Sequence, residues 1–305
     1  MDTAEKPAVD ILDDRPDFVK KLDEIDIHNL SPENEKFLYD SVQNYFMNNF
    51  PVDKELVEQI PEKTVILKHE DYMKEYFRTE PNPRKENPPV GFYDVPLDKN
   101  FIDNDAAVNA IDLFSTIFHE SLHFVSISQG AGFEVKNFKE LDDLSFLGDD
   151  ISEDEIKHYA KKASECVTEG ATKLLEHISL EDMGIDTSQD DGYMPHVHIM
   201  EKVLKATTGN YEQFVDVYFH KNTEDFRKEI ELTLLPDDKK AEFENGEIPT
   251  GEFTRCLFNI GKALDEMEYF CSEEVNDPES YNEVYSAVCD AAQYYAKLKE
   301  EKRNA

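Results

Sequence analysis

The stretch from Ala107 to Gly130, AVNAIDLFSTIFHESLHFVSISQG, constrains the fold of this 305-residue chain more than any other. Its apolar residues recur at helical spacing, which predicts a long helix from about Ala106 to Ile127. On a wheel centred on His119, the residues Asp112, Ser115, Thr116, His123 and Ser126 fall within about 60° of that histidine. Ile111, Leu113, Phe114, Ile117, Phe118, Leu122, Phe124 and Val125 fill most of the remaining circumference. A helix with so narrow a polar stripe has to be surrounded, because its apolar sides must leave water. Burial in turn obliges both imidazoles to find partners. The chain therefore predicts one central helix with other elements packed round it.

Within the stripe, His119-Glu120-Ser121-Leu122-His123 forms an HExxH motif. Residues i and i+4 stand one turn apart on one face, so both imidazoles can reach a single metal ion. Zinc accepts neutral imidazole nitrogen and keeps a position open when the protein supplies three ligands. Glu120 lies roughly 100° round the helix from His119. From there it can take a proton from a metal-activated water and return it to a leaving amine. The motif predicts Zn2+ on His119 and His123, with Glu120 as general base.

The rest of the chain reads as α+β and predominantly helical. Ser31 and Pro32 open a capped helix through SPENEKFLYDSVQNYF, with serine at the N-cap and proline at the first helical position. Thr64–Leu67 is a short strand, residues 78–90 a Pro-rich loop, and 91–103 two strand pieces round a turn at Pro96–Lys99. After the central helix comes an acidic loop, 138–155. Ser152 and Glu155 give a capping-box start to a helix of about 153–178. Further helices are expected near 194–207, 210–232, 252–270 and 279–302. The organisation predicted is an acidic, partly disordered segment 1–30, a catalytic domain 31–235 and a helical subdomain 236–305.

Residue patterns leave the third metal ligand open. A metzincin site would need glycine at 126 and histidine at 129, where Ser126 and Gln129 stand. A ligand 19 residues after His123 falls on Asp142, in weakly helical acidic sequence; one 46 residues after it falls on Glu169. On its own helix Glu169 shares a face with Glu165, Thr172, Lys173 and Glu176, opposite Val167, Ala171, Leu174 and Ile178. That face reads either as a solvated acidic surface or as a ligand face. Gly170 favours the second, since a mid-helix glycine costs about 1 kcal/mol against alanine and marks close approach of another element.

HExxH together with Thr168-Glu169-Gly170-Ala171-Thr172 resembles the gluzincins, the thermolysin-like metallopeptidases whose third zinc ligand is a glutamate on a second helix. The segment Gly91-Phe92-Tyr93-Asp94 looks like the edge-strand entry of such domains. Tyr193 and the helices after it are similar to those of small bacterial members. The resemblance covers residues 64–230. It implies a zincin-like domain with a small sheet ahead of the HExxH helix, Glu169 as third ligand, Glu120 as catalytic base and Tyr193 as donor to the oxyanion. Thermolysin has an aspartate four residues after its ligand glutamate, orienting a ligand histidine; Lys173 stands there in this chain, and Glu165, Thr172 or Asp112 are the expected substitutes.

Composition narrows the partners. With 32 basic and 68 acidic residues the formal net charge is −36, which repels phosphate backbones and anionic lipid heads. Nucleic acid and membrane are thus poor partners, and a peptide or protein substrate is the expectation. Four scattered cysteines, Cys166, Cys256, Cys271 and Cys289, and an N-terminus without a signal-like apolar stretch point to free thiols and a cytoplasmic protein. The rival reading is a vestigial zincin-like protein serving as an interaction module.

Overall fold

The computed structural model describes residues 15–79, 88–130, 153–188 and 211–220, with Val197 and a few helical positions between 279 and 286. Among the described residues it is mostly helical, with one three-stranded sheet. The helices are α1 (Asp17–Asp23), α2 (Pro32–Asn49), α3 (Lys54–Glu58), α4 (Ile60–Lys63), α5 (His69–Thr79), α6 (Ala110–Ser128), α7 (Glu153–Asp182) and α8 (Tyr211–His220). The strands are β1 (Thr64–Leu67), β2 (Gly91–Asp94) and β3 (Lys99–Asp103).

Ser31 caps α2 by accepting from Asn34 N at 3.2 Å, and Pro32 occupies the first turn. Leu38, Val42 and Phe46 recur every four residues along α2 and are buried, a stripe that turns it onto α6. No element was expected between Asp17 and Asp23, yet Val19 and Leu22 of α1 enter the core. The predicted helix at 106–127 begins four residues later, at Ala110. The reason is local: the Asn109 side chain accepts from Ile111 N and Asp112 N, and Asp112 accepts from Val108 N. Those bonds tie up the amides of the first turn and fix the N-cap.

In the sheet, β3 lies between parallel β1 and antiparallel β2. The turn at 95–98 is held through Asp98, whose φ is +52°; its carboxylate accepts from Tyr93 Oη at 2.8 Å and pairs with Lys63. Period-two alternation gives the sheet two apolar faces. Ile66, Tyr93 and Ile102 join the main core with α6, while Val65, Phe92 and Phe101 meet Tyr72 and Tyr76 of α5. α5 is not among the elements expected from the sequence, although its two buried tyrosines stand one turn apart.

α6 is the hub. It packs on α1, α2, α3, α7, α8, β2 and β3. α7 ends at Asp182, and the turn that follows it is made by Gly184, whose φ of +84° suits glycine. The predicted loop 138–155 falls almost wholly outside the described residues, as do Ser152 and most of the Pro-rich loop and the helices expected near 194–207, 252–270 and 279–302. Among the described residues no helix is long and apolar enough to cross a membrane.

Candidate metal centre

Three predicted site residues come together. His119 and His123 project from one face of α6, and Glu169 reaches them from α7. His119 Nε2 lies 3.2 Å from His123 Nε2 and 3.3 Å from Glu169 Oε2, and the third side of the triangle is 3.5 Å. These atoms form a group able to hold a metal ion. Tetrahedral ligands about 2.0–2.1 Å from an ion stand roughly 3.3–3.4 Å apart, so the triangle fits such an ion in size as well as in donor chemistry. Asp142, the rival third ligand, lies outside the described residues, as does Tyr193. His220, on α8, is exposed and pairs with Asp216 at 2.8 Å.

Where its side chains are described, the face of α7 that carries Glu169 is not a solvated surface. Thr172, Lys173 and Glu176 on that face are all buried, and Glu176 is 0% exposed. Gly170 is buried too, consistent with α7 lying against α6. A carboxylate withdrawn completely from water needs compensation at both oxygens. Glu176 Oε2 lies 2.8 Å from His119 Nδ1, while Oε1 accepts from Ser115 Oγ at 2.5 Å and Lys173 Nζ at 2.9 Å.

Glu176 is thus the carboxylate that orients His119, and two of the expected substitutes, Asp112 and Thr172, are engaged elsewhere. Asp112 caps its own helix. Thr172 Oγ1 donates to Thr168 O and shares a 2.8 Å hydrogen bond with the hydroxyl of buried Tyr218 on α8. Glu165 has no described side chain. The sequence did contain a signal: Glu176 follows Glu169 by seven residues, two turns along the same face.

Glu120 is buried one residue beyond His119 and lines the same cleft. The cleft encloses about 540 Å³ between β2 and the pair α6/α7, with Val90, Tyr93, Val95 and Ile127 among its apolar walls. β2 approaches closely because Gly91 has no side chain. A Cβ there would stand 2.9 Å from Glu120 Oε1 and 2.7 Å from Thr116 Cγ2.

The electrostatics describe a site that seeks a cation. Three carboxylates, Glu120, Glu169 and Glu176, gather round two imidazoles and one ammonium. Burial opposes charge on His119, but hydrogen bonds to Glu169 and Glu176 outweigh it and push its pKa up to about 10. Burial would raise Glu169; the charge of His123 and the bond to His119 hold it well below the usual carboxylate range. Glu176 is likewise lowered, by His119 and Lys173 against its burial. Glu120 is pushed up, chiefly by burial, against the opposing charges of His119 and His123. A proton and a metal ion compete for such a site. In comparisons with known proteins, no family model, no curated protein and no solved structure matches the chain, so the functional reading rests on the chemistry of the site itself.

Proposed function

We propose that this protein is a zinc-dependent hydrolase, a metallopeptidase of gluzincin type acting on a peptide or protein substrate. The observation that carries the reading is the convergence of His119 Nε2, His123 Nε2 and Glu169 Oε2 in the cleft that Glu120 also lines. Two imidazole nitrogens and one carboxylate oxygen suit zinc, whereas magnesium and calcium take oxygen ligands. His119, His123 and Glu169 would hold the ion, which would supply Lewis-acid polarisation of a carbonyl and acidification of water. Glu120 takes the proton of the attacking water and delivers it to the departing amine nitrogen. Its raised pKa brings it nearer the range in which a carboxylate shuttles protons efficiently. Glu176 receives Nδ1–H of His119, which leaves the Nε2 lone pair as the donor that would bind a metal.

The edge strand supports a peptide substrate. β2 is an edge strand of the described sheet and lines the cleft. An extended peptide can add there as a further strand, with its carbonyls presented towards Glu120. Tyr193 is kept, by resemblance, as the oxyanion donor.

The test is Glu120→Gln. The variant should hold zinc as the wild-type protein does, while chelator-sensitive peptide cleavage falls by about 10²–10⁴. Full activity in the variant removes Glu120 from the chemistry, and wild-type protein that binds no zinc overturns the reading.

A further inference from the structure

We propose that Lys173 and Ser115 form a clamp on one oxygen of Glu176, and that this clamp fixes His119 for metal binding. The inference rests on the zinc reading above but adds residues that HExxH and its third ligand do not include. The geometry divides the Glu176 carboxylate in two. Oε1 is occupied by Lys173 Nζ at 2.9 Å and Ser115 Oγ at 2.5 Å, so Oε2 is the oxygen left for His119 Nδ1 at 2.8 Å. A carboxylate can turn about its last torsion, which is broad. Two donors on one oxygen, one of them charged, arrest that rotation. Lys173 is also a fixed positive charge next to a wholly buried negative one, so Glu176 does not depend on the ion for compensation. Lys173 is accordingly a positioning residue, acting through Glu176 and not on the substrate.

A double-mutant cycle tests the coupling. Zinc affinity is measured by chelator competition in Lys173→Met, in Glu176→Gln and in the pair. Lys173→Met should lose about 10–100-fold, the effect expected of an outer partner of a ligand histidine, and the same change in the Glu176→Gln background less than about twofold. Equal losses in both backgrounds, or no loss in either, overturn the proposal. Ser115→Ala serves as a milder second variant should Lys173→Met fold poorly; it should weaken zinc binding severalfold. The Nδ1–H proton of His119, read by NMR with and without zinc, should shift in Lys173→Met and Ser115→Ala. A resonance that stays in place in both variants overturns the clamp alone. Wild-type protein without zinc affinity overturns the zinc reading alone, because the metal-free spectrum still reports on the clamp.

Discussion

On the side of α6 that faces α1 and α2, Phe114 and Phe118 meet Phe18, Tyr45 and Phe46 edge-on, at centroid distances of 5.1–5.5 Å. On the side that faces α7 and β2, the same helix presents Ser115, Thr116, His119, Glu120 and His123. Both sides are packed, but by opposite means. The aromatic side gains from the area it removes from water and from ring geometry. The polar side gives up hydration of several charges and recovers it only through paired donors and acceptors. Stability should therefore reside on one side and metal binding on the other, and the two should fail independently.

The strongest challenge to that division is His123→Ala. It should abolish near-stoichiometric zinc in elemental analysis while leaving a folded chain, since the aromatic side is untouched. Zinc retained at the wild-type level would assign the site elsewhere. Phe118→Ala is the converse experiment. Losing a fully buried ring should cost about 3–5 kcal/mol in urea unfolding, with zinc content unchanged well below the midpoint. A fall in zinc without a fall in stability would show that the sides are not separable.

Gly91→Ala sharpens the boundary between binding and chemistry. A methyl group crowding Glu120 and Thr116 should slow peptide cleavage by roughly 10²-fold, as displacement of a reacting group by about 1 Å can, with zinc still bound. Thr116→Ser in the same chain removes one of the two clashes and should restore part of the rate. Undiminished cleavage in Gly91→Ala would mean that β2 yields without moving Glu120.

The smallest effect concerns pH in metal-free protein. His119 has a folded pKa near 10, above its unfolded value of about 6.5. Its contribution is complete below about pH 6.5 and is lost as pH rises towards 10. Glu169 and Glu176 are depressed instead, so their contributions hold above the unfolded carboxylate value and are lost in acid. Urea midpoints in chelator should accordingly decline between pH 6.5 and 9.5. Zinc, which needs neutral imidazole, should remove much of that decline. Equal declines with and without zinc would place the titrating group outside the site.

What could be read before folding follows the same division. Apolar periodicity located α6, and strand alternation located the hairpin at 91–103, because both signals are local. Helix α5 was legible in Tyr72 and Tyr76, but charged residues around them diluted the pattern. His119, His123 and Glu120 announced themselves by spacing. Glu169 needed Gly170 and a family likeness, and only the fold shows its carboxylate beside the imidazoles. The role of Glu176 had only the faint signal of its seven-residue spacing from Glu169, because on its own helix it is one more acid on a face that can also be read as solvated. Burial of that face by α6 is a tertiary fact, and no wheel drawn on α7 alone contains it.

The separation of the donors also sets a sequence of events in time. His119 and His123 become neighbours as soon as α6 is helical, whereas Glu169 follows His123 by 46 residues. At synthesis rates of about 5–20 residues per second, that interval lasts roughly 2–9 s. During it a nascent chain offers two nitrogens and no carboxylate from α7. The complete triad exists only once α7 has emerged and docked, so an ion bound with full affinity reports that the two helices have met.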